Sequence, residues 1–226
     1  MKILFLQKRP LFPTDTGGKI RTLNVLRYLA RWHDVTYLCN LQPAEAEAVE
    51  SMEALGLRIE TIPWRETPRG SALFYAQLAS NLASRYPFNV NKDYNARLRS
   101  RAETLLREDD FDLVICDFVQ MARNVIGLTR PPAILFQHNV EAEIFQRHAA
   151  TDEGWLRRAY MGHQFRKMAR FERKAGREFD AVIAVSQRDR EMFEQRYGWN
   201  HVDVIDTAVD VDYFHPSNSG DGQITG

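Results

Sequence analysis

Ala133-Ile134-Leu135-Phe136-Gln137-His138-Asn139-Val140-Glu141 is the stretch that decides how this chain is read. Its first five residues are apolar or nearly so and predict a strand buried on both faces, as in a parallel sheet covered by helices on either side. The chain then turns polar or small for four positions before residues 142–149 take up helical spacing. In an open parallel sheet, ligands sit beyond the carboxyl ends of the strands, where side chains leave the core for solvent. His138 and Glu141 fall at such a place. An imidazole there can donate, accept or carry charge near neutral pH. It can equally cap the next helix or bond a backbone carbonyl.

Working outward, the same strand pattern recurs. Residues 3–6, 35–41, 57–62, 112–116, 181–185 and 202–205 are short runs rich in Ile, Leu, Val and Phe. Between them lie stretches with helical periodicity. Pro43 opens one such stretch and Gly56 closes it, the usual asymmetry of helix ends. The alternation predicts an α/β, Rossmann-like three-layer domain with a doubly wound parallel sheet of about seven strands. Residues 63–110 break the rhythm with extra helical segments, 71–84 and 94–108, which suit either a substrate wall or padding against the sheet. Asp117 stands at the exit of the fourth strand, and Ser186 leads into the helix over 188–197 as its cap.

Thr14-Asp15-Thr16-Gly17-Gly18-Lys19-Ile20-Arg21 follows the first strand after a loop kept irregular by Pro10 and Pro13. Two glycines at a helix start let a ligand approach the backbone, and the free N–H groups and helix dipole favour an anion such as phosphate. Lys19 and Arg21 add charge beside them. The spacing is neither a Walker loop nor GxGxxG, and a flexible turn into a helix satisfies it as well.

Composition sets limits. The chain has 226 residues, with 30 Lys+Arg against 30 Asp+Glu, so the formal charge is zero and no nucleic-acid partner is expected. Cys39 and Cys116 sit inside apolar runs and predict buried free thiols in a reducing, cytoplasmic setting. No apolar run approaches the eighteen or so residues of a membrane span. The six histidines form no Cys/His cluster at metal-ligand spacing, and a GxSxG elbow is absent. A long helix over 155–179 carries Arg157, Arg158, Arg166, Lys167, Arg170, Arg173, Lys174 and Arg177 as a basic outer face. That face suits solvent, or peripheral contact with an anionic membrane, where each cation contributes about 1 kcal/mol.

Taken together, the pieces resemble the N-terminal half of GT-B glycosyltransferases of the family 4 type, especially bacterial enzymes of exopolysaccharide and surface-glycan assembly. The resemblance rests on Lys2-Ile3-Leu4-Phe5-Leu6, Gly17-Gly18-Lys19-Ile20-Arg21, Phe111-Asp112-Leu113-Val114 and His138-Asn139-Val140-Glu141. It continues through Phe171-Glu172, Asp180-Ala181-Val182-Ile183-Ala184-Val185-Ser186 and Val209-Asp210-Val211-Asp212-Tyr213-Phe214-His215-Pro216. Each piece is degenerate; their order covers essentially the whole chain. One departure is Thr207-Ala208, where the family usually has Asn-Gly, residues that tolerate a left-handed turn.

The resemblance implies an acceptor-binding domain over residues 1–216 and a disordered hinge tail over 217–226, with the donor domain that completes the cleft lying beyond the chain. It implies transfer of a sugar from a nucleotide-sugar to a glycan or lipid-linked acceptor, with retention and with neither cofactor nor obligatory metal. His138 would stand at the reaction centre, with Glu141 assisting. Gly17, Gly18, Lys19 and Arg21 would face the donor diphosphate, and Asn139, Asp117 and Ser186 would edge the acceptor cleft. The alternative is a non-catalytic Rossmann-like binding subunit that needs a separate donor-domain partner.

Overall fold

The structure, a computed structural model, describes residues 1–206. Its centre is one parallel sheet of seven strands in the order β3-β2-β1-β4-β5-β6-β7. The strands are β1 (Lys2–Gln7), β2 (Asp34–Leu41), β3 (Arg58–Pro63), β4 (Leu113–Asp117), β5 (Ala133–Gln137), β6 (Ala181–Ala184) and β7 (Val202–Val204). The winding direction reverses between β1 and β4, which makes the carboxyl ends of those two strands the switch point of the fold.

Alternation along β1 divides the core into two layers. Leu4 and Leu6 point to one face, where they pack with Leu98 and Leu105 of α5 (Ala96–Glu108) and Met168 and Ala175 of α7 (Trp155–Gly176). Ile3 and Phe5 point to the other face, against Leu23 and Leu26 of α1 (Gly17–Leu29) and Met52 of α2 (Ala46–Glu53). A strand apolar at consecutive positions is what two covered faces require. Cys39 and Cys116 are buried free thiols, and burial pushes both well up from the ordinary thiol range.

Several elements differ from the sequence reading. The helical stretch that Pro43 opens begins as a 3₁₀ turn over Pro43–Glu45, in which Gln42 and Glu45 form a reciprocal cap. The insert holds α3 (Ala72–Asn81), α4 (Phe88–Asp93) and α5; α4 was not foreseen, because Asn89, Asn91 and Asp93 give it no apolar period. In α3, Leu73 and Tyr75 stay 60% exposed and Asn81 is its buried residue, so its apolar circumference covers little. In α7 the expected basic outer face is corrected at Lys167, which is 4% exposed, while apolar Trp155 and Leu156 at the helix start are 69% and 66% exposed. The remaining helices are α6 (Glu141–Thr151) and α8 (Gln187–Tyr197). Thr207-Ala208, the stretch 209–216 and the expected tail 217–226 lie outside the described residues.

Candidate functional site

Because β1, β4 and β5 are neighbours in a parallel sheet, their carboxyl ends deliver Gln7, Asp117 and His138 to one spot. Asp117 is fully buried and is the hub. Its Oδ2 accepts from the Thr22 hydroxyl of α1 at 2.7 Å and from the Gln7 side-chain amide, while its Oδ1 lies 2.6 Å from His138 Nε2. The other imidazole nitrogen, Nδ1, is 3.0 Å from an Arg21 guanidinium nitrogen. A guanidinium has donors only, so Nδ1 accepts and the ring proton sits on Nε2, donated to Asp117. Burial lowers the Arg21 pKa, and the nearby Asp117 and Asp189 act against that.

Phe118, directly after Asp117, holds φ +67°, an uncomfortable value for a side chain of that size. Its N–H donates to Phe136 O at 2.9 Å, which fixes the turn. The conformation lays the ring on the imidazole of His138, with centroids 4.1 Å apart and planes 15° off parallel. The same ring lies against the first turn of α1: a Cβ at Gly18 would come 3.1 Å from Phe118 Cζ. Gly18 is thus required by a close approach, whereas a Cβ at Gly17 would meet open space. Thr16 caps α1, accepting from the Lys19 N–H at 3.4 Å. Lys19 pairs with Asp15 at 2.9 Å and donates to Pro13 O. Beside this helix start opens a cavity of about 440 Å³ whose lining includes Lys8, Arg9 and Lys19, the acidic Asp15 and Glu45, and Phe118.

Glu141 belongs to a second, adjoining cluster. Glu172 of α7, fully buried, accepts from the backbone N–H groups of Glu141 and Ala142 at 3.0 and 3.2 Å, and so caps the start of α6. It also accepts from the Tyr197 hydroxyl at 2.6 Å and the Gln137 amide at 3.1 Å. Burial raises both carboxyls to about 7, and for Glu141 the nearby Glu172 charge adds to the rise. At Glu172 the hydrogen bonds from Tyr197 and from the backbone N–H groups of Glu141 and Ala142 act against that rise.

The structure therefore brings together His138, Asp117, Arg21 and, through Phe118, Gly18. Gly17 and Lys19 stand at the same end of the sheet. Asn139 is exposed beside the cluster, and Ser186 is half-buried, its hydroxyl capping α8 by accepting from the Asp189 N–H at 3.1 Å. Thr22, Gln7, Phe118 and Glu172 were not foreseen as site residues. Thr22 and Gln7 read as ordinary members of a helix and a strand, and no residue type signals a strained aromatic after a strand. Among the described residues no group of three His, Cys, Asp or Glu side chains is placed to hold a metal ion.

This fold is that of solved glycosyltransferase halves. Sucrose-phosphate synthase from Thermosynechococcus elongatus superposes with a TM-score of 0.58 at 10% identity, covering 96% of this chain and 50% of the other. Arabidopsis thaliana UGT89C1 in complex with UDP-L-rhamnose gives 0.51 at 12% identity, covering 92% and 51%. The UDP complex of the same enzyme gives 0.50 at 15%, covering 91% and 52%. The chain spans about half the length of the solved structures it matches, and its architecture is that of a GT-B N-terminal domain. More particularly, the sequence matches Glycosyltransferase Family 4 over residues 16–213, and the chain belongs to that family. No curated protein matches it.

Proposed function

We propose that this chain is the acceptor-binding half of an enzyme that moves a sugar from a nucleotide-sugar to a glycan or lipid-linked acceptor, with retention, in the assembly of cell-surface polysaccharide. The convergence of the α1 helix start and His138 at one end of the sheet carries the reading. The first turn of α1 offers N–H groups and a dipole to a diphosphate, with Lys19 and Arg21 supplying charge. Arg21 contacts His138 Nδ1 at 3.0 Å; drawn toward a diphosphate, it releases that lone pair to face the reacting sugar. Asp117 then holds the ring's orientation through Nε2, as a buried carboxylate does for a working imidazole. Exposed Asn139 is the side chain offered to acceptor hydroxyls, while buried Glu141 would act through the α6 start beside His138. No helix among the described residues is long and apolar enough to cross a membrane. Exposed Trp155 and Leu156, beside Arg157 and Arg158, support a place at the inner, anionic face of the cytoplasmic membrane.

The test is His138→Ala in an enzyme containing both halves. Turnover falls about 10²-fold or more, the scale of losing a positioned polar group at a reaction centre. Unchanged turnover removes His138 from the site and the reading with it.

A further inference from the structure

A second cavity, of about 620 Å³, lies between the loop after α3, the start of α5 and the middle of α7. Six cationic side chains line it: Arg85, Arg99, Arg123, Lys167, Arg170 and Lys174, with no acidic residue among the lining. The chain as a whole is neutral, and cations elsewhere such as Lys8, Arg9 and Lys92 are drawn into ion pairs with Asp93, Glu45 and Glu66. None of these six forms an ion pair among the described residues; what holds them is neutral. Arg123 lies between two phenol rings, 4.1 Å from the Tyr86 centroid and 4.0 Å from that of Tyr94, and donates to Asn91 Oδ1 at 2.7 Å. Arg99 donates to the carbonyls of Arg123 and Ile126 at 3.1 and 2.9 Å. Lys167 donates to Asn81 O and Oδ1 at 2.7 and 3.0 Å, which leaves its third N–H over. His163 Nε2, also in the lining residues, is buried with no hydrogen-bond partner.

Holding six like charges around one hollow is unfavourable unless something of opposite sign enters. A planar arginine fixed by two rings and several ammonium and guanidinium groups at different angles fit an anion with many oxygen acceptors around it. The volume suits a ligand of small-molecule size. We propose that this cavity binds a polyanionic organic phosphate of the diphosphate class, at a site built by α5 and α7 and distinct from the α1 helix start. The proposal does not rest on the sugar-transfer reading.

The probe is inorganic pyrophosphate, titrated calorimetrically into the full chain at about 0.15 M salt. A dissociation constant below about 1 mM is expected. Arg170→Glu with Lys174→Glu, both exposed in the fold, weakens it about tenfold or more, as for lost charge-assisted hydrogen bonds. Arg158→Glu with Arg166→Glu changes the charge of the same helix equally but lies off the cavity, and leaves binding within about twofold. Absence of pyrophosphate binding, or equal weakening by both pairs, overturns the proposal. Circular dichroism verifies the fold of each variant, and Arg170→Gln with Lys174→Gln repeats the test with milder changes. Sedimentation with vesicles of phosphatidylcholine carrying a polyprenyl diphosphate, displaced by pyrophosphate, assigns a lipid as the source. Pyrophosphate binding without such sedimentation assigns a soluble diphosphate.

Discussion

His138, Asp117, Phe118 and Gly18 act as one packed unit. The ring of Phe118 has the imidazole 4.1 Å away and so cannot recede freely when a methyl is added at Gly18, where the new carbon would come within 3.1 Å. Gly18→Ala therefore destabilises the protein by about 1 kcal/mol or more, the lower range of overpacking costs. Gly17→Ala meets open space in the same helix turn and is neutral or slightly stabilising through helix propensity. Urea unfolding of the two variants side by side measures the contrast. Glu141 supplies a second prediction. Its folded pKa of about 7 stands above the ordinary 4.5, so the folded state keeps a proton that the unfolded chain has released. Stability from this group is fully present below about pH 4.5 and is lost as pH rises toward 7, by at most about 1.4 kcal/mol per pH unit. Glu141→Gln flattens that part of the stability profile; an unchanged profile places the proton elsewhere.

Between elements, the decisive contacts are those that no local pattern announces. Gly176, at the last turn of α7, faces the indole of Trp199 so closely that a Cβ would come 2.1 Å from Trp199 Cζ2. Trp199 in turn stacks on Phe193 of α8, with centroids 4.9 Å apart, and neither ring has room to withdraw. Gly176→Ala is expected to cost about 3 kcal/mol, the upper range for an overpacked core, read as a lowered denaturant midpoint. In the sequence this glycine sits inside a basic helical run and looks dispensable. The strands and most helices were legible because two covered sheet faces demand consecutive apolar residues and because Pro43, Gly56, Thr16 and Ser186 mark helix ends. Illegible were α4, stabilised by neighbours such as Gln164, whose Oε1 accepts from the Phe88 N–H at 2.8 Å, and the inward turn of Lys167. Its burial depends on Asn81, which is 86 positions away.

At the scale of the molecule, the chain covers 50 to 52% of the structures compared above, and on the function proposed above it contributes one wall of a donor cleft. Donor contacts supplied by one wall leave most of a nucleotide unheld, and stabilisation of a leaving diphosphate is chiefly preorganised electrostatics. On that reading we expect the isolated chain to bind nucleotide-sugars with a dissociation constant no tighter than about 1 mM. Calorimetry showing micromolar affinity would mean that this wall alone holds the donor. Of the site, the residues at strand ends and the diglycine were legible from position, because a parallel sheet gathers its carboxyl ends at one edge. The hub role of Asp117 was not, since a lone Asp after a strand says nothing of the three side chains that reach it.

One benzene ring rests on the imidazole at one end and on a glycine of the proposed anion cradle at the other. Aromatic ring currents shift nearby protons, so the His138 carbon-bound hydrogens carry an upfield displacement set by where that benzene ring lies. Any occupant that nudges the α1 start must move Phe118 and hence those resonances. An NMR spectroscopist could thus follow events at the diglycine by watching an imidazole on the far side of an intervening ring.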